Sequence, residues 1–320
     1  MTRIIAVLLC LMVSLLSNRA FAEEKPSIPN SLTSPAEMIV GGDTRVQIVD
    51  VAQSHNGVSK IVWEWDAKTA KDLPQIYRDH HFLAIDECKP IEGGRRILVT
   101  ASTGGVAVIN RETKAVEFLT NLPMAHSIEL LPRGHIAVAA SDHPLGNNLC
   151  IYSLDAPDAP VLKRDLFAGH GVVFFERTNE LYAMGCHEMD LYEVGFDDQN
   201  KLTLDLKASW KIPGKGGHDL VYDRENKSLV VTDGHTVWNF KLSEKILKPY
   251  QPLRDVGSVK SVSFPPTTGP IAYVKPDEQY WSPRVRFVNS DFELKFPGRK
   301  LYKARWIPTA AESQSPSSVE

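Results

Sequence analysis

Downstream of residue 35 the apolar residues come in short runs bounded by Gly, Asp and Pro, and no stretch repeats them at a helical period. Runs of this kind predict β-strands. Six segments align without gaps and set the larger pattern. They are His80–Asp86, His126–Pro132, His170–Glu176, His218–Arg224, Lys260–Pro266 and Lys303–Thr309, with first residues 46, 44, 48, 42 and 43 positions apart. That spacing is the length of a four-stranded propeller blade. After each segment the sequence predicts a polar turn, a second strand, a short turn and a third strand. The second strands are Glu37–Gly42, Arg96–Ala101, His135–Ala140, Glu180–Met184, Ser228–Thr232 and Pro270–Val274.

The expected fold is therefore all-β, a six-bladed β-propeller over residues 35–309. The chain enters on a strand of the second type, Glu37–Gly42, with no inner strand before it, and leaves on an extra inner strand, Tyr302–Ile307. That last strand is expected to complete the N-terminal blade and close the ring, so that no sheet edge is left at the seam.

Composition and the ends of the chain bear on where the protein works. Residues 1–22 read as a signal peptide: Met1-Thr2-Arg3, an apolar run from Ile4 to Leu16, then Ala20-Phe21-Ala22. The run is shorter than the roughly 20 residues that span a bilayer, and no later stretch is long enough. A secreted or periplasmic protein follows, without a membrane span. Residues 23–34 and 310–320 are rich in Ser, Pro and Glu and are expected to be a flexible N-terminal segment and a disordered C-terminal tail. Loss of Arg3 and Arg19 takes the formal charge from −3 to −5, and no basic tract remains, which argues against nucleic acid as a partner. Cys88, Cys150 and Cys186 are an odd set, so at least one thiol stays free. The ring is expected to be a monomer.

The histidines supply the candidate chemistry. His80, His126, His170 and His218 begin inner strands beside the central channel, and Lys260 and Lys303 occupy the same column in the other two repeats. His81 follows His80, and Arg305 lies two residues along the closing strand. The turns between second and third strands reach the same face of the disc and add His143, His187 and His235. Eight of the ten histidines thus gather on one face. The last such turn, residues 275–284, brings Tyr280 and Trp281 beside the funnel, with Arg284 at its exit. Three converging imidazoles, His126, His170 and His218, would suit one divalent ion (Mn, Zn, Fe or Ni). Without a metal, the imidazoles and ammonium groups form a positive funnel for a small acidic or carbohydrate ligand. The structural alternative is that the histidines are packing residues inherited with the repeat.

On these six segments and the export signal, the chain resembles an uncharacterised family of secreted bacterial six-bladed propellers, a domain of unknown function. More distantly, the histidine-lined face is similar to that of propeller polysaccharide lyases of the oligogalacturonate lyase type. That likeness implies histidine-bound divalent metal and elimination across a uronic acid. Those lyases have seven blades where six are counted here, so no catalytic residue carries over. Two functions remain: a metal-binding or acid-sugar-binding protein with lyase-type chemistry, or a non-catalytic platform for another exported protein. Export itself has a direct check. The mature protein is expected to begin at Glu23, and N-terminal sequencing that starts at Met1 would contradict it.

Overall fold

A computed structural model describes residues 36–55, 58–266 and 269–308. The expected signal peptide, the 23–34 segment and the 310–320 tail lie outside these residues. The chain is all-β: four four-stranded sheets and one eight-stranded sheet. The four-stranded sheets occupy residues 85–121, 125–165, 171–211 and 219–249, each antiparallel. The eight-stranded sheet is joined across its middle by one parallel bridge, Lys295 to Val58. On one side of that bridge lie the strands within 261–295; on the other lie Glu37–Gly42, Arg45–His55, Val58–Asp66 and Leu301–Trp306.

The last strand pairs with the first. Leu301–Trp306 runs antiparallel to Glu37–Gly42, with Met38 opposite Trp306 and Val40 opposite Ala304, as the unpaired ends of the repeat pattern predict. The innermost strands form a cycle of contacts. Leu301–Trp306 touches Ile85–Ile91, which touches Ala125–Leu131, then Gly171–Phe175, Asp219–Asp223 and Ser261–Ser263, which returns to Leu301–Trp306. This arrangement is compatible with a propeller. Alternating side chains of facing sheets fill the space between them, giving successive apolar clusters around the cycle, for example Leu98, Val106 and Ile128 with Val138, and Leu181 and Tyr192 with Ala139 and Ile151. Burial of such surface at roughly 25 cal/mol per Å² is the main stabilising contribution.

Polar stitches link neighbouring inner strands. Ser127 Oγ accepts the Val172 N–H at 3.3 Å, Asp219 Oδ2 accepts that of Val262 at 2.9 Å, and Ser261 Oγ accepts that of Ala304 at 3.1 Å. At the centre four buried charges form a closed knot. Arg305 reaches Glu87 at 2.9 Å and Asp219 at 2.6 Å, and Lys303 reaches the same two carboxylates at 3.2 and 3.1 Å. Burial alone would raise the Glu87 carboxyl, but Arg305 and Lys303 beside it outweigh that and hold it at about 2. Both cations come from the closing strand, and the carboxylates from two sheets that do not adjoin each other.

Two expectations need correction. The inner strand of the second repeat is Ile85–Ile91, not His80–Asp86, and residues 77–81 form one turn of π-helix instead. Arg305 and Lys303 do not offer free charge to the channel, because each is held by two carboxylates. Arg305→Met should leave Glu87 and Asp219 to share Lys303 alone. A loss of about 3–5 kcal/mol in denaturant unfolding is expected; a variant as stable as the parent would show that the knot does not hold the ring.

Candidate functional site

Each inner strand begins with one residue too many for its partner. In Ile85–Ile91 the register shifts between Ile85 and Glu87, so Asp86 is the extra residue; in Ala125–Leu131 the extra residue is His126. In the closing strand Gly42 opposes Leu301 and Gly41 opposes Lys303, which leaves Tyr302. His170, His218 and Lys260 each donate their N–H to the carbonyl of the residue that pairs with their successor: Met184, Thr232 and Val274. A bulge of this kind re-aims one side chain. The resulting order around the axis is Asp86, His126, His170, His218, Lys260 and Tyr302, one layer above the charge knot.

The approach to this ring is strained in a repeated way. Met124, Ala168 and Ser258 have φ of 59°, 45° and 59°, and Gly216 has 71°. Each stands two residues before His126, His170, Lys260 or His218. Left-handed backbone is unusual for Met or Ala and persists where the surroundings enforce it, often at functional sites. The carbonyls it turns inward are used: His126 Nδ1 donates to Met124 O at 2.7 Å, and His170 Nδ1 to Ala168 O at 2.9 Å. That fixes the tautomer and leaves the lone pair of each ring on Nε2.

The rings lie close together. Centroids of His126 and His170 are 4.3 Å apart, those of His170 and His218 are 5.6 Å apart, and Tyr302 stands 6.1 Å from His126. Lys260 Nζ donates to His218 Nε2 at 2.9 Å and lies 5.5 Å from the ring centres of both Tyr280 and Tyr302. Burial, the neighbouring His126 and His218, and Lys303 keep His170 well below the usual imidazole range. Burial and the Lys260 ammonium bring His218 down to about 3. Burial likewise lowers the Lys260 amine to about 8, and raises the Asp86 carboxyl against the pull of His126. At neutral pH, His170 and His218 are therefore uncharged and add no positive charge to the expected funnel.

The other expected site residues divide clearly. Tyr280 stays with the ring as an exposed aromatic over Lys260, and Trp281 packs edge-on against it at 5.7 Å with Lys300 above its own ring. Arg284 is taken by Asp277 and Glu293. His143 accepts the Leu145 N–H, His235 is exposed, and His187 stacks on Phe167; among the described residues no hydrogen bond or aromatic contact joins these three to the ring. His80 is exposed, and His81 bonds to Thr103 and Asn121. Asp86 and Tyr302 take the places assigned to His80 and Lys303. Aligning on His80 leaves nine residues, 87–95, before the next strand, where the other repeats have two or three. That excess was the visible sign of a slip of six residues. Among the described residues no three His, Cys, Asp or Glu side chains are grouped so as to hold a metal ion. Among them, too, no helix is long and apolar enough to cross a membrane. Two surface clefts, at 64–72 with 113–115 and at 45–47 and 58–61 with 295–299, contain none of the ring residues.

The structure thus defines an all-β protein of repeated four-stranded sheets with a polar ring at its centre. Residues 2–316 match a family described as Family of unknown function (DUF6528), and the chain belongs to that family. No curated protein matches the sequence.

The buried imidazoles make stability depend on acid. Between pH 6.5 and about 3 the unfolded chain takes up a proton at His218 that the folded chain refuses, so stability falls as pH drops through that window. His218→Gln should reduce the loss between pH 6.5 and 4 by about 2–3 kcal/mol relative to the parent. Parallel denaturant melts at the two pH values measure the difference, and equal losses would mean that His218 is not held neutral by the fold.

Proposed function

We propose that the chain is an exported six-bladed β-propeller whose central mouth binds a small acidic ligand of the carbohydrate type. The cycle of inner strands and the pairing of the chain's two ends support the propeller. The ligand reading is carried by Lys260. The residue is 3% exposed, and its side-chain partners are an imidazole nitrogen and two aromatic faces, with no ion pair among the described residues. A buried ammonium is unfavourable without a close counter-charge, and Asp86 acts on Lys260 only from beyond ion-pair distance. A ligand carboxylate supplies that charge, while Tyr280 offers a ring for stacking and the imidazoles offer hydrogen bonds to hydroxyls. A lyase-type elimination would break the carbon–oxygen bond β to the carboxylate as a base takes the proton from the carbon between them. Lys260 would hold the carboxylate, while His170 and His218, held well below the usual imidazole range, are poor bases for that proton.

A divalent metal is the second reading, favoured by the carbonyl-anchored Nδ1 atoms of His126 and His170, a device that orients metal-bound imidazoles. His126, His170 and His218 would hold it only if their rings drew together and Lys260 withdrew from His218, since as they stand they are not grouped for an ion. Elemental analysis of the purified protein and of His170→Ala tests that reading.

Lys260→Met separates a binding site from a structural one. Affinity for glucuronate should fall at least about tenfold, while stability at pH 7 should rise by roughly 1–3 kcal/mol because an unpaired buried charge is removed. Loss of stability with unchanged affinity would assign Lys260 to the fold alone.

A further inference from the structure

We propose that Asp86 is a specificity-determining residue of the mouth, accepting a hydroxyl that stands beside the ligand's carboxylate. The inference rests on the acidic-ligand reading and adds a second contact point to it. Asp86 takes the ring position between Tyr302 and His126, and its side chain is held there by the Ser102 N–H, which donates to Oδ2. No hydrogen bond among the described residues reaches Oδ1, although the residue is 4% exposed. A carboxylate oxygen with no protein donor and some access to solvent has acceptor capacity open to whatever enters the mouth.

Its neighbours narrow what that donor can be. Asp86 and Lys260 flank Tyr302, near enough that the Asp86 charge acts on both the Tyr302 hydroxyl and the Lys260 amine. The two opposite charges nevertheless form no ion pair with each other. A ligand between them meets an ammonium on one side of Tyr302 and a carboxylate oxygen on the other. A carboxylate and a hydroxyl on neighbouring carbons, as in a uronic acid, satisfy both at once. A simple carboxylic acid reaches Lys260 and leaves Asp86 bare. A neutral sugar does the reverse. Sites that hydrogen-bond a hydroxyl discriminate strongly against analogues that lack it, because the protein group is then left unpaired.

Titration calorimetry with glucuronate, glucose and propionate on the full-length mature protein tests this. Glucuronate should bind at least about tenfold tighter than either of the others. Asp86→Asn keeps an oxygen for the Ser102 N–H, and should weaken glucuronate by about tenfold while leaving propionate unchanged. Equal affinities for glucuronate and propionate in the parent protein would overturn the role of Asp86 and leave the acidic-ligand reading standing. So would an Asp86→Asn protein that keeps full affinity for glucuronate. If neither acid binds, both fall. Should Asp86→Asn fail to fold, the ratio of the two acids in the parent protein decides alone.

Discussion

The ion knot of Glu87, Asp219, Lys303 and Arg305 is the constraint on which the molecule is organised. Four charges out of water are favourable only when each meets its opposite with good geometry. Here that requires the closing strand to sit between two sheets that do not adjoin each other. The knot thereby ties the end of the chain to its middle, and it does so at the one place where all the inner strands approach. Replacing it by apolar side chains would not obviously weaken the fold, since buried ion pairs are rarely net stabilisers. Its contribution is to register: a slip of Leu301–Trp306 would carry Lys303 and Arg305 away from both carboxylates.

The same knot shapes the chemistry above it. Because Lys303 and Arg305 are each held by two carboxylates, most of their charge is offset within a few ångströms, although Lys303 still acts on His170 in the ring above. Lys260, one layer nearer the mouth, has no such partner and stays reactive to whatever enters. The difference between a silent and a responsive lysine here is not residue type. It is the presence of Glu87 and Asp219 on the strands opposite one of them.

The ring residues show how a one-residue irregularity decides a site. A bulge at the start of an inner strand changes which side chain faces the axis. In three repeats the histidine visible in the sequence is the bulged residue, and the alignment places it correctly. In the closing strand the bulge selects Tyr302 instead of the adjacent Lys303, and sequence spacing cannot see a shift of one. In the second repeat the conspicuous His80-His81 pair draws the alignment off by six residues, while the true ring residue is an aspartate that looks like an ordinary strand end. Histidine is easy to count; an acidic residue at the same position is not.

The sequence by itself determined the strand pattern, the repeat length and the pairing of the two chain ends, because strand periodicity and turn residues are local and the repeat compares the chain with itself. It also marked His126, His170, His218 and Lys260 as a set. Only the tertiary structure decided which cations are neutralised, which imidazoles are uncharged, and that Asp86 and Tyr302 complete the ring. Those properties depend on side chains brought together from strands as much as two hundred residues apart, such as Glu87 and Arg305. Burial and charge pairing at that range leave no periodic trace along the chain.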